Sequence, residues 1–189
     1  MVMVALRGLA SEIWSSSATP VQEAAIVAYS PDESIEHYVH QSALVHAYLA
    51  DRLYKSLKNL DVPCPRPAGG FYLYPDFSQW RSTLAAMGIT TGTELMHYLL
   101  EEWDIATLPG SAFGEPPESL RFRLSTSLLC LPVHTSSPLE RETALWELLS
   151  KAEELSLESD VILSMPALER AQSRLTEVIQ HFNRKNTSI

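Results

Sequence analysis

Cysteine is scarce in this sequence, with Cys64 and Cys130 the only two in 189 residues. One lies between prolines and the other after a leucine pair, so they make neither a disulfide framework nor a zinc site, and both are expected as buried thiols. Long apolar runs are missing as well. No stretch of about 18 apolar residues is present to cross a membrane. The opening Met-Val-Met-Val-Ala-Leu-Arg has neither the charged start nor the apolar length of a signal peptide. A soluble, cytoplasmic protein is therefore expected. Basic residues are few and scattered, and the net charge is -9, which argues against nucleic acid or an anionic membrane as a partner. Neither a Gly-x-Gly-x-x-Gly fingerprint nor a Walker sequence occurs, so no self-contained nucleotide site is expected. His37 and His40 stand three apart without a convincing third ligand, and no metal site is expected there.

What is present is a series of helix starts. Residues 2 to 15 read as an amphipathic helix with Val2, Leu6, Leu9, Ile13 and Trp14 on its apolar side. Thr19-Pro20-Val21-Gln22 has the form of a capping box for a helix from Pro20 to Tyr29. Ser30-Pro31-Asp32-Glu33 has the same form and opens the longest helix, to about Leu60. Thr91-Gly92-Thr93-Glu94 opens a helix to Trp103 with Leu95, Leu99 and Leu100 inward, and Ser137-Pro138-Leu139-Glu140 opens one to about Leu155. A shorter helix, Ser78 to Met87, and a last one, Pro166 to Phe182, complete the set. Strands are expected over Gly69 to Asp76, Ile105 to Leu108 and Leu120 to Ser125. The alternation gives an α/β (α+β) fold in which helices cover a small sheet.

The last of these strands has two unlike faces. Leu120, Phe122 and Leu124 alternate with Arg121, Arg123 and Ser125. An arginine fork gives two parallel charge-assisted hydrogen bonds to a carboxylate. Taken alone, a pair of strand arginines equally fits a solvated face with surface ion pairs. The preceding Gly110-Ser111-Ala112-Phe113-Gly114 has its serine directly after the first glycine, so it is not a hydrolase nucleophile elbow.

Pro109-Gly110-Ser111-Ala112-Phe113-Gly114 followed by Arg123-Leu124-Ser125 resembles the C-terminal part of the class I/II aminotransferases, pyridoxal-phosphate enzymes of fold type I. Gly69-Gly70-Phe71-Tyr72 resembles the strand that opens the centre of their small domain. Gly8-Leu9-Ala10-Ser11-Glu12-Ile13-Trp14-Ser15-Ser16 with Pro20-Val21-Gln22 is similar to the segment that follows their cofactor-bearing lysine. The resemblance runs from about Ala5 to the final helix. It implies that Arg123 binds the substrate α-carboxylate, that Gly70 and the Gly110 to Gly114 loop line the substrate side, and that Ser16 and Ser17, in the run from Ser15, approach the cofactor phosphate. The same serines equally fit simple helix-end caps.

The resemblance also implies a division into residues 1–29, a helical remnant of the large cofactor domain, and residues 30–189, the small C-terminal domain. The Schiff-base lysine and the carboxylate facing the pyridine nitrogen belong to family segments preceding the equivalent of Ala5. None of Lys55, Lys58, Lys151 and Lys185 lies in the family's Ser-x-Ser-Lys setting. The expectation is a C-terminal fragment with no catalytic residue of its own, belonging to a family that uses amino acids and 2-oxo acids. An alternative is a non-catalytic dimerisation or binding module that pairs with itself or with a full-length relative. A third is that the sequence is one piece of an ordinary active enzyme.

Overall fold

A computed structural model of the protein describes residues 2–14, 16–131, 137–155 and 165–187. Two compact units are present, Met1–Val39 and His40–Ile189. In the first, α1 (Val2–Trp14) and α2 (Thr19–Ala28) are followed by the opening turns of α3 (Glu33–Asn59). No residue of α1 or α2 is buried. The expected apolar side of α1 is present but open to solvent, with Leu6 52% and Trp14 72% exposed.

Two of the helix starts differ from the sequence reading. Thr19 is already helical; Ala18 occupies the cap position and makes no side-chain capping bond. At the start of α3 the cap is Asp32, whose Oδ1 accepts the Ser34 and Ile35 backbone N–H groups at 2.8 and 3.2 Å. An ionised carboxylate next to the first turn outcompetes a serine two residues further out. Ser30 instead turns back, its hydroxyl donating to the Ile26 carbonyl at 2.6 Å. The hydrogen bonds to Asp32 hold its carboxyl below the usual carboxylate range.

The second unit holds the core. The later part of α3 buries Val45, Leu49, Leu53 and Leu57, a stripe at steps of four, whereas Tyr38 and Val39 in the other unit are exposed. After α3 come β1 (Tyr72–Leu73), α4 (Arg81–Ala86), α5 (Gly92–Trp103), β2 (Leu108–Pro109), β3 (Phe122–Ser125), α6 (Pro138–Ser150) and α7 (Pro166–Asn186). α7 runs a turn past the expected end at Phe182. It buries Leu168, Leu175, Val178, Ile179 and Phe182. Phe77 stands at the centre, 5.0 Å from the Trp80 ring, 4.8 Å from Phe122 and 6.1 Å from Phe182 in edge-on geometry. The Trp80 indole N–H donates to Asn183 Oδ1 at 2.8 Å and pins this cluster to α7.

The capping box of α5 is complete. Thr91 accepts the Glu94 N–H at 3.2 Å, and Glu94 accepts the Thr91 N–H at 2.9 Å. At α6, Ser137 accepts the Glu140 N–H. Leu95 and Leu99 point inward as expected, but Leu100 is exposed. It lies about a quarter-turn round the helix from Leu99, off the stripe that Leu95 and Leu99 define.

The sheet has the order β1-β3-β2, antiparallel throughout. Tyr72 faces Ser125 and Leu73 faces Leu124 on one side; Leu108 faces Arg123 and Pro109 faces Phe122 on the other. Each outer strand is two residues long, shorter than the sequence suggests. Pro75 lacks a backbone donor and ends the ladder, leaving an isolated bridge from Asp76 to Arg121.

Candidate functional site

Arg123 on the middle strand β3 and Arg121, in the isolated bridge just before it, are carried outward. Phe122 and Leu124 are buried beneath it, while Arg121 and Ser125 are exposed and Arg123 is half-buried. The alternation read from the sequence is therefore present, and the two arginines have different fates.

Arg121 is committed to its neighbours. Its Nε donates to Asp76 Oδ2 at 3.0 Å, and its Nη1 lies 3.8 Å from Glu115 Oε1. Burial pushes the Asp76 carboxyl up, but hydrogen bonds from Ser78 and Arg121 outweigh it and hold the group below the usual range. Glu115 also accepts the Ser119 hydroxyl in a short hydrogen bond. The Tyr74 hydroxyl is raised by burial and by its hydrogen bond to Glu115. This network ties the loop after β2 to β1 and β3. Gly110 lies inside it: its N–H donates to the Arg121 carbonyl at 2.8 Å, and a Cβ there would stand 2.6 Å from Glu115 Oε2 and 2.9 Å from the Tyr74 hydroxyl.

Arg123 is held by ring faces. Its guanidinium carbon lies 4.1 Å from the Tyr72 ring centroid and 5.1 Å from that of Phe113. Among the described residues no carboxylate lies within 4 Å of it. Stacking on aromatic faces satisfies the π surface of a guanidinium and leaves its N–H donors for a planar anion. Tyr72 and Phe113 are functional candidates that composition and spacing did not single out. A strand register was needed to place them, since one comes from β1 and the other from the turn after β2.

Gly70 precedes β1 by two residues, with φ +68° and open space where a side chain would be. Thr126 closes the same end of the sheet, its N–H donating to the Phe71 carbonyl at 2.9 Å. Ser16 and Ser17 belong to the other unit and are exposed. The Ser17 carbonyl accepts the Gln22 side-chain amide at 2.6 Å, a local tie between the link and the first turn of α2. Ser15 lies outside the described residues.

The remaining candidates are placed as follows. Cys64 and Cys130 are free and half-buried rather than fully buried, and burial pushes both thiols up, away from thiolate. His37 and His40 are exposed, and among the described residues no group of three potential ligands gathers. No described helix is long and apolar enough to cross a membrane. All four lysines stand on helices or at helix ends: Lys55 pairs with Asp51 at 2.7 Å, Lys151 with Glu147 at 2.9 Å, and Lys58 and Lys185 occupy the last turns of α3 and α7. The Arg123 guanidinium is flanked by the Tyr72 and Phe113 rings. A guanidinium so placed has the donors to bind a planar carboxylate.

Comparison of the sequence with known proteins identifies a family. The profile of aminotransferase class I and II matches residues 1–128, from α1 through β3 and just past it. The chain belongs to that family. The match stops before α6, short of the final helix to which the sequence resemblance extended. Within the family, the chain is similar to the aspartate aminotransferase of Geobacillus stearothermophilus, 35% identical over 129 residues, covering 67% of this chain and 31% of the relative. It is 33% identical over 131 residues to the aspartate aminotransferase of Bacillus subtilis, with the same coverage of each. Among solved structures, the aromatic aminotransferase from Pyrococcus horikoshii OT3 matches 77% of this chain and 26% of its own, with 23% identity and a TM-score of 0.36. The chain thus spans about a third of the length of the curated relatives it matches.

Proposed function

We propose that this chain is the C-terminal part of a pyridoxal-phosphate-dependent amino-acid aminotransferase, contributing the arginine that grips the substrate carboxylate but not the lysine that binds the cofactor. The observation that carries the reading is the contrast on β3. Arg121 is neutralised by Asp76 at 3.0 Å, whereas Arg123 is stacked between Tyr72 and Phe113 with no carboxylate beside it among the described residues. A charge that the fold holds without neutralising favours an incoming anion, and two parallel N–H donors orient a carboxylate as well as attract it. Gly70, open above the start of β1, leaves room on the substrate side. In the family, pyridoxal phosphate supplies the electron sink for amino-group exchange between amino acids and 2-oxo acids. This chain's part is to bind and orient the acid end. Residues 1–29 are, on this reading, a remnant of the large domain, with Ser16 and Ser17 facing the cofactor phosphate, and residues 30–189 are the small domain.

The test has two arms on the full chain. Titration with L-aspartate, followed in NMR through the Arg123 side-chain N–H and the Tyr72 and Phe113 backbone N–H resonances, should give a saturable shift, and Arg123→Gln should abolish the shift at Tyr72 and Phe113. Incubation with pyridoxal phosphate and borohydride, followed by peptide mass mapping, should give no stoichiometric adduct. One lysine modified at one equivalent per chain would overturn the claim that the cofactor lysine lies elsewhere; an Arg123 resonance indifferent to aspartate would overturn its carboxylate role.

A second reading is favoured by the exposed face of α1, where Leu6, Leu9, Ile13 and Trp14 lie open. Contiguous apolar surface on a helix is the ordinary substrate of association. On this reading the chain pairs with itself or with a full-length relative. Size-exclusion with light scattering decides it: a clean monomer that binds no hydrophobic dye counts against pairing.

A further inference from the structure

A cavity of about 420 Å³ opens in the second unit, and Arg123 is not among the residues that line it. Its floor is made by α7, where Ala167, Ala171 and Leu175 follow one another at steps of four along one side. Two alanines in a row leave a trough where larger side chains would fill it. Leu53 of α3 and Ile105 lie at its base, and Leu128, 70% exposed, stands on its rim. A leucine this open beside a concave apolar surface has lost its chance of burial within the described fold.

The charge of the lining runs against that of the chain. The protein carries a net charge of -9, yet three arginines, Arg141, Arg170 and Arg174, line the cavity against one carboxylate, Asp104. That carboxylate is already engaged, its Oδ2 lying 3.5 Å from Arg174 Nη2, and Arg174 also reaches Glu177 at 3.2 Å. Arg170, one turn before Arg174 on the same side of α7, makes no ion pair among the described residues. A concave apolar trough of this size with a cation at its mouth is the usual form of a small-molecule site. An apolar chain with an anionic head satisfies both parts.

We propose that this cavity binds a small aliphatic monocarboxylate, its head on Arg170 beside Arg174 and its chain along the Ala167–Ala171 trough. β3 gives Leu124 and Ser125 to the cavity wall, whereas Arg123 does not line it. The site is thus separate from the substrate-carboxylate site proposed above and does not depend on that proposal.

Octanoate is the probe, titrated by calorimetry into the full chain carrying Arg123→Gln, so that binding at Arg123 cannot contribute. Saturable one-site binding is expected with Kd on the order of 1 mM, together with NMR shifts at the Ala167 and Ala171 amides. Adding Arg170→Gln, an exposed substitution that leaves the fold intact by circular dichroism, should weaken it at least about fivefold, consistent with loss of a charge-assisted hydrogen bond. Acetate and octanol, head without chain and chain without head, should each bind more weakly than octanoate. Octanoate binding that ignores Arg170→Gln, that octanol reproduces, or that shifts only residues of α1 and α2 would overturn the proposal. So would the absence of saturable binding.

Discussion

Replacing Gly92 by alanine pits two rules against each other. Gly92 is the first residue of α5, directly after the Thr91 cap. By helix propensity and unfolded-chain entropy alone, alanine there should stabilise the protein by about 0.4–1 kcal/mol. The packing gives the opposite sign. A Cβ at Gly92 would lie 2.5 Å from the Ser119 carbonyl oxygen and 3.4 Å from Pro109 Cβ. Ordinary contact begins near 3.4 Å, so the carbonyl would have to retreat by about 0.9 Å (3.4 minus 2.5). That oxygen is backbone, not the swinging end of a side chain, and its segment is pinned: the Ser119 N–H donates to the Pro116 carbonyl at 3.0 Å and the Gly92 N–H to the Pro117 carbonyl at 2.9 Å. Overpacking of this kind costs about 1–3 kcal/mol. Set against the propensity gain, the net is a destabilisation on the order of 1–2 kcal/mol. With a urea slope of about 1–3 kcal/mol per molar, the midpoint should fall by roughly 0.3–2 M. Tryptophan fluorescence is a suitable probe because Trp80 is buried in the second unit while Trp14 and Trp146 are exposed. A midpoint that stays level or rises would refute the claim that the Ser119 carbonyl closes over α5.

Two further outcomes concern β3. The Asp76 carboxyl has a folded value below its unfolded one, so its stabilisation is present above the unfolded value and is lost as pH falls through the folded one; Asp76→Asn should flatten the acid limb of a stability-versus-pH curve and leave its neutral-to-basic shape alone. Removing one ring face from Arg123 by Tyr72→Leu should weaken carboxylate binding by about two- to fivefold, the worth of a half-exposed cation–π contact of roughly 0.5–1 kcal/mol; an unchanged titration would mean that the ring only covers the arginine without positioning it.

The parts of the fold that were legible are those governed by local rules. The alternation along β3, the stripe from Val45 to Leu57 and the Thr91–Glu94 box depend on residues within a turn or two of one another, and the spacing states them directly. Thr19 and Ser30 show where that legibility ends. Both match a capping pattern, but Ala18 and Asp32 take the positions because the choice among adjacent caps depends on where the previous helix stops and which side chain is already charged. The strands were read too long because strand-like composition does not reveal how many partners are present; Tyr72 and Leu73 are the only β1 residues with β3 residues opposite them in the ladder. The family resemblance singled out Arg123, but the physical difference between Arg121 and Arg123 was not legible in the local spacing. It rests on Asp76, 45 positions earlier, and on Tyr72 and Phe113, which share no local pattern with the arginine they flank.

The Arg123 clamp is assembled from three stretches that are far apart along the chain: Tyr72 from one edge strand, Phe113 from the turn beyond the other edge strand, and the arginine between them. No pair of these segments can form it without the third, so the geometry proposed to grip an anion exists only when the whole sheet has closed. Any acid that binds there is therefore a ligand of the native state alone, and raising its concentration to a hundred times Kd should add about 2.7 kcal/mol to folding stability. Thermal shift with carboxylates would then report on the completeness of the sheet as well as on recognition, and a loss of that shift in a variant with an intact Arg123 would mark a sheet that no longer closes.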